Sequence, residues 1–136
     1  MTLKTTQRRL RFDSVNVHAE GGDACRVDVS FTFGSAVIRA SSAGPSEAPG
    51  PLKAAATAAL NAVEQAVGGR IKASLADVDH VNALGKQLIA VLVDVEFEGK
   101  QAQLFGSCQL KGDEIDASVK AVLNATNRFV ELAMRR

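Results

Sequence analysis

The chain has no tryptophan and no tyrosine, and its six phenylalanines are its only aromatic residues. Surfaces that stack unpaired bases need several exposed rings, so single-stranded nucleic acid is a poor match. Net charge is also nearly absent. Sixteen Lys and Arg against fifteen Asp and Glu leave +1, too little to gather nucleic acid or an anionic membrane surface from a distance. No apolar run approaches the ~20 residues that cross a bilayer. The opening MTLKTTQRRLRF carries Lys4, Arg8, Arg9 and Arg11 but lacks the apolar centre of a signal peptide. A cytoplasmic protein with a flexible, solvated basic arm over residues 1–10 is expected, with neither nucleic acid nor a membrane as partner.

Cysteine is scarce as well. Cys25 and Cys108 are far apart and form no metal-spaced pattern. Both fall on the apolar phase of predicted strands, where a free thiol behaves as a small hydrophobe. Glycine patterns for phosphate or dinucleotide are missing, and no set of ligands has metal-site spacing, so no cofactor and no metal are expected. At 136 residues a chain buries roughly two-thirds of its unfolded surface, so it needs neither disulfide nor metal to fold.

What the sequence does contain is a repeat. AALNAVEQAV at 58–67 returns 63 residues later as AVLNATNRFV at 121–130, with Ala58/Ala121, Leu60/Leu123, Asn61/Asn124, Ala62/Ala125 and Val67/Val130 identical. Other pairs follow with small gaps. Asp28, Val29 and Phe31 align with Asp94, Val95 and Phe97, and Asp13, Val17, Ala19 and Gly21 with Asp77, Val81, Ala83 and Gly85. A fixed period of this length marks two copies of one supersecondary unit.

Each copy has the same element order. Cys25 to Phe33 alternates apolar and polar residues, the mark of a strand with one face on a core. A shorter apolar stretch (Phe12, Val15, Val17) precedes it across the turn Glu20-Gly21-Gly22-Asp23. A third strand spans about 36–40, and the Gly/Pro-rich stretch 41–50 is expected as a loop. Pro51 suits the first helical position, where its missing N–H costs nothing. Leu52, Ala55, Ala56, Ala59, Leu60, Val63, Ala66 and Val67 form one helical stripe, stopped by Gly68-Gly69. The second copy runs through strands at about 75–83, 88–98 and 102–110. A helix capped by Asp113 follows, with Asp116 in the reciprocal capping role. Its stripe is Ile115, Val119, Val122, Leu123, Thr126, Phe129 and Val130.

The fold class expected is α+β: a tandem β-β-β-α repeat with pseudo-twofold symmetry, its antiparallel sheets packed against two helices. One domain over 11–136 is expected, divided into repeats of about 11–69 and 70–136. The second strand of the second copy is apolar on its other face too, at Ala90 and Leu92. Either the helices or a second subunit must cover that face.

FGSCQLKGDEIDASVKAVLNATNR, 105–128, resembles the closing motif of the C-terminal regulatory (allosteric, dimerisation) domain of 2-isopropylmalate synthases and citramalate synthases. The matching residues are Phe105, Gly106, Ala117, Ser118, Lys120, Ala121, Val122, Ala125, Asn127 and Arg128. Cys108 stands at the family's second glycine. ADVDHVNA, 76–83, resembles that domain's central strand through Asp79, His80 and Ala83, and Ala43-Gly44-Pro45 resembles its glycine-proline element. The resemblance implies two β-β-β-α units, a homodimer, an amino-acid-like small-molecule effector and a partner synthase, here as a stand-alone regulatory domain linked to leucine biosynthesis. The family's effector site commonly uses a tyrosine, which this chain lacks, so the resemblance leaves open whether leucine-type sensing survives.

Candidate chemistry is sparse. His18 and His80 are the only histidines, each beside an asparagine two positions away (Asn16, Asn82) and therefore on one strand face with it. A twofold arrangement would let the two His/Asn pairs line a polar ligand pocket. The plainer alternative is a pair of half-exposed strand histidines bonded to neighbours. Candidate ligand contacts are thus Asn16, His18, Asp79, His80 and Asn82. The acidic residues Asp113, Glu114 and Asp116 suit a helix N-terminus, and Asp94, Glu96 and Glu98 the wet side of a strand. A nucleophile with a converging base and orienter is not evident; His80 with Asp77 or Asp79 is the one base pair available. The expectation is a non-catalytic regulatory or interaction domain, with a purely structural homo-oligomeric assembly protein as the alternative.

Overall fold

The computed structural model describes residues 10–134. The arm expected over residues 1–10 falls outside these except for Leu10, which opens the first strand and is buried. Two units follow in order: β1 Leu10–Ala19, β2 Ala24–Phe33, β3 Ala36–Pro45 and α1 Gly50–Ala66, then β4 Ile71–Ala83, β5 Lys86–Phe97, β6 Lys100–Gln109 and α2 Glu114–Met134. The strands form two antiparallel sheets in the orders β1-β2-β3 and β4-β5-β6. The expected α+β tandem repeat is the observed architecture.

Two-residue turns join the strands of the second unit. At Leu84-Gly85 and Glu98-Gly99 both central residues have positive φ, the geometry whose twist matches paired strands. Three boundaries differ from expectation. β3 runs on to Pro45, its Gly44 and Pro45 opposite Cys25 and Ala24, because proline and glycine are tolerated at a strand's end. β4 starts at Ile71 rather than near Leu75. Gly50, not Pro51, is the first residue of α1, with Pro49 at the cap.

Both opening strands carry a bulge, and it decides which residues correspond. Asp13 in β1 and Ala76 in β4 have no partner in the pairing. Aligned on these bulges, Val15 matches Val78 and Val17 matches His80, the same 63-residue spacing as the helices. The expected match of Val17 to Val81 is therefore off by one residue, which moves a side chain to the opposite face. The same register makes Val29 and Phe31 the counterparts of Val91 and Val93, not of Val95 and Phe97. Sequence identity alone could not place the gap, because valine recurs at almost every inward position of β5.

α1 packs on β2 and β3 of its own unit and on β4 of the other, while α2 packs on β5, β6 and β1. Each unit thus covers apolar surface that the other leaves bare. The helices lie side by side and point the same way. The Ser118 hydroxyl near the start of α2 donates to the Leu52 carbonyl near the start of α1 (3.1 Å), and Arg70 beyond α1 donates to the Ala133 carbonyl near the end of α2 (3.0 Å). α1 is buried on more than its expected stripe: Ala54, Ala58 and Ala62 are covered as well, which explains why a helix enclosed on several sides is alanine-rich. One continuous core joins Val27, Phe31, Leu60, Ile89, Val93, Val119 and Val122.

Local signals account for the helix ends. Gly68 N–H bonds the Gln65 carbonyl and Gly69 N–H the Glu64 carbonyl, at 3.1 and 3.0 Å, with both glycines at positive φ. This pairing satisfies carbonyls that a helix otherwise leaves orphaned. Asp113 accepts from the Ile115 amide at 2.9 Å as the expected cap, but Asp116 pairs with Lys120 instead of closing the reciprocal bond. The repeated asparagines do the same work twice. Asn61 donates to the Ser41 carbonyl in β3 (3.3 Å), and Asn124 accepts from the Ser107 amide at the corresponding place in β6 (3.1 Å). Each ties the outer edge of a sheet to its own helix.

Candidate functional site

The register sorts the sequence's candidate residues onto different surfaces. Asn16 and His18 lie on the outer face of the first sheet, away from the helices. There His18 Nε2 meets Asp28 Oδ2 at 3.0 Å, Arg26 grips the same carboxylate at 3.1 and 3.3 Å, and Arg26 also reaches Glu20 at 3.2 Å. Exposed pairs of this kind contribute little to stability, but they leave this face polar. Beside the network, Ser14, Asn16, Asp28, Ser30, Arg39 and Ser41 line an open hollow of about 450 Å³.

His80 and Asn82 take the opposite phase. The bulge at Ala76 turns them toward the helix side of the second sheet, beyond the end of the core, where His80 Nε2 meets Glu114 Oε1 at 2.8 Å. Glu114 opens α2, a site that favours a carboxylate, and its chemistry as a partner for His80 was invisible from sequence distance. Asp77 and Asp79 do not orient the imidazole. Their carboxylates turn to the edge of β4 and accept from the amides of Val78 and His80, both at 2.8 Å. The structure therefore does not unite the two His/Asn pairs: one sits on each sheet, on opposite phases, each histidine held by its own acid. The base and orienter weighed for His80 with Asp77 or Asp79 is likewise not assembled. Among the described residues, no group of three or more His, Cys, Asp or Glu is placed to hold a metal ion. Both cysteines are free, Cys25 buried and Cys108 half-buried.

The outer face of the second sheet is different in kind. In direct register, Val81 lies opposite Leu88, Leu88 opposite Gln109, and Leu92 opposite Phe105. Neither helix covers this face: Phe105 is 67% exposed, Val81 is exposed, and Leu84 at the adjoining hairpin tip is 100% exposed. Of the two covers expected for Ala90 and Leu92, helices or a second subunit, the helices are not the one, although Ala90 is buried and Leu92 half-buried on this face. Sequence reasoning found the apolar second face of β5 but missed that Phe105 and Leu84 extend it. Farther along the same sheet lies a wider, polar hollow of about 850 Å³, lined by Lys72, Ser74, Asp94, Glu96 and Gln101 with Glu64.

Two β-β-β-α units with an apolar sheet face that neither helix covers suit a domain that associates. The family model described as LeuA allosteric (dimerisation) domain matches residues 1–130. The chain belongs to that family. Among curated proteins, no similar sequence is found. For a LeuA allosteric domain, the two complete units account for the match spanning nearly the whole chain. The family's description makes its role regulation and dimerisation rather than catalysis. No helix among the described residues is long and apolar enough to cross a membrane.

Proposed function

We propose that this LeuA-type domain is a non-catalytic, homodimeric regulatory module of the cytoplasm that binds a small, amino-acid-like metabolite and modulates a separate synthase. The observation that carries the reading is the match of both β-β-β-α units to an allosteric dimerisation domain. The candidate effector contacts are Asn16 and His18 on the first sheet and Asp79, His80 and Asn82 on β4, of which His80 meets the start of α2 through Glu114. Without a tyrosine, the ligand's recognition differs from that of the leucine-sensing relatives.

Thermal-shift measurements against branched-chain amino acids and their keto and hydroxy acids test this reading. A ligand at a hundred times its Kd adds about 2.7 kcal/mol to stability, a rise of several degrees. Because Asn16 and His80 lie on separate surfaces, only one of Asn16→Ala and His80→Ala should abolish the rise, and the one that does so identifies the surface that binds. A panel that leaves the melting temperature unchanged removes the effector. The bare apolar face of the second sheet specifically favours the second reading, a structural homo-oligomer with no ligand.

A further inference from the structure

We propose that a second copy of this chain docks face to face on the outer surface of the β4–β5–β6 sheet, centred on Phe105 and Leu92. The inference rests on the dimeric reading above and assigns it a surface. Phe105, Leu92, Leu88, Val81 and Leu84 form a contiguous apolar strip from mid-sheet to hairpin tip. Single exposed apolar residues are ordinary, whereas contiguous ones mark an interaction site.

The occupant follows from the family's dimerisation role and from what the other surfaces lack. The corresponding face of the first sheet is occupied by the His18–Asp28–Arg26–Glu20 ion pairs, and burying those charges against a second copy would cost more than it returns. Edge-to-edge pairing through β4 is also disfavoured. Along β4 the outward amides of Ala73, Val78 and His80 are already taken by the carboxylates of Glu64, Asp77 and Asp79, at 2.7, 2.8 and 2.8 Å. Carboxylates on a strand edge repel an incoming strand as well as occupying its donors. On β3 and β6 one edge group each, the Ser41 carbonyl and the Ser107 amide, is taken by Asn61 and Asn124.

Leu84 adds an independent sign. Its φ of 54° is one that asparagine or glycine adopts readily and a branched apolar side chain does not. A leucine held there and wholly exposed is costly to the isolated fold, and is accounted for by contact in the assembly. A twofold contact uses the same patch on both copies, so every anchor counts twice. Aromatic residues at the centre of such patches commonly dominate binding.

The test is sedimentation of the full chain and three variants, with circular dichroism to verify the fold. Phe105→Glu is expected to weaken the dimer roughly a hundredfold or more. Leu84→Asn, which suits the turn better, should weaken it while leaving the hairpin intact. Val37→Glu, on the outer face of the first sheet and 58% exposed, should leave it unchanged. If Phe105→Glu and Leu84→Asn fold and dimerise like the unaltered chain, this surface is wrong although dimerisation stands. If Val37→Glu alone dissociates the dimer, the contact belongs to the first sheet and the proposal is overturned. An unaltered chain that stays monomeric removes the dimeric reading itself.

Discussion

Replacing Gly106 by alanine should destabilise the protein, although the same change at an ordinary strand position would not. Gly106 lies mid-β6 with its Cα facing α2. A Cβ there would overlap the Ala121 carbonyl oxygen and the Ala125 amide nitrogen, and would stand 2.6 Å from the Ala125 Cβ. Two of those atoms are helix backbone and cannot rotate away, so α2 must move off the sheet. Overpacking of this kind costs roughly 1–3 kcal/mol. At an open site, alanine for glycine restricts the unfolded chain and stabilises by about 0.4–1 kcal/mol. The sign of the change therefore separates the two situations. Urea unfolding at fixed protein concentration is the assay, because the proposed dimer would make stability depend on concentration. The midpoint should fall with the slope unchanged, and melting should drop ~4 °C for each kcal/mol lost in a chain of this size. The corresponding position of the first unit already carries a side chain, Ala40, so Ala40→Gly serves as a mild reference. A Gly106→Ala variant as stable as the parent, or more so, would refute the close approach of α2 to β6.

Further substitutions probe the contacts that join the units. Ser118→Ala leaves the buried Leu52 carbonyl without its hydroxyl donor and should cost about 1 kcal/mol, seen as a lower urea midpoint. Gly68→Ala forces a side chain to a φ of 63° at the end of α1 and should cost roughly 1 kcal/mol, again by urea unfolding. Asp113→Ala removes the cap of α2 and should cost ~1 kcal/mol, whereas Asp116→Ala, which breaks only an exposed pair with Lys120, should change the midpoint by a few tenths at most. Asn124→Ala frees the Ser107 amide, so hydrogen exchange at Ser107 should quicken relative to the rest of β6.

Element order, both sheets and both helices were legible because period-two strands and an alanine-rich helix recur with the same spacing. The Gly68-Gly69 stop and the Asp113 cap were legible for local reasons: glycine and aspartate have few other uses at those positions. The face assignment of β4 was not. A bulge depends on backbone pairing with β5 and leaves no mark in composition, and with Ala76 unpaired His80 falls on the helix side, in register with Val17 rather than with His18. The partners of the histidines were equally hidden, because Glu114 reaches His80 only once α2 is folded against the second sheet. The repeated Asn61 and Asn124 were visible as identities, but their purpose, clamping equivalent serines on β3 and β6, required the register. The apolar second face of β5 was evident from Ala90 and Leu92. That neither helix covers it was not.

The central claim, a duplicated allosteric-type domain that works as a pair, is tested most directly by the solution mass of the unaltered chain. Sedimentation equilibrium across a concentration series should return twice the 14.3 kDa chain mass at the upper concentrations, with dissociation on dilution. A species that keeps the single-chain mass throughout, while folded by circular dichroism, would contradict it.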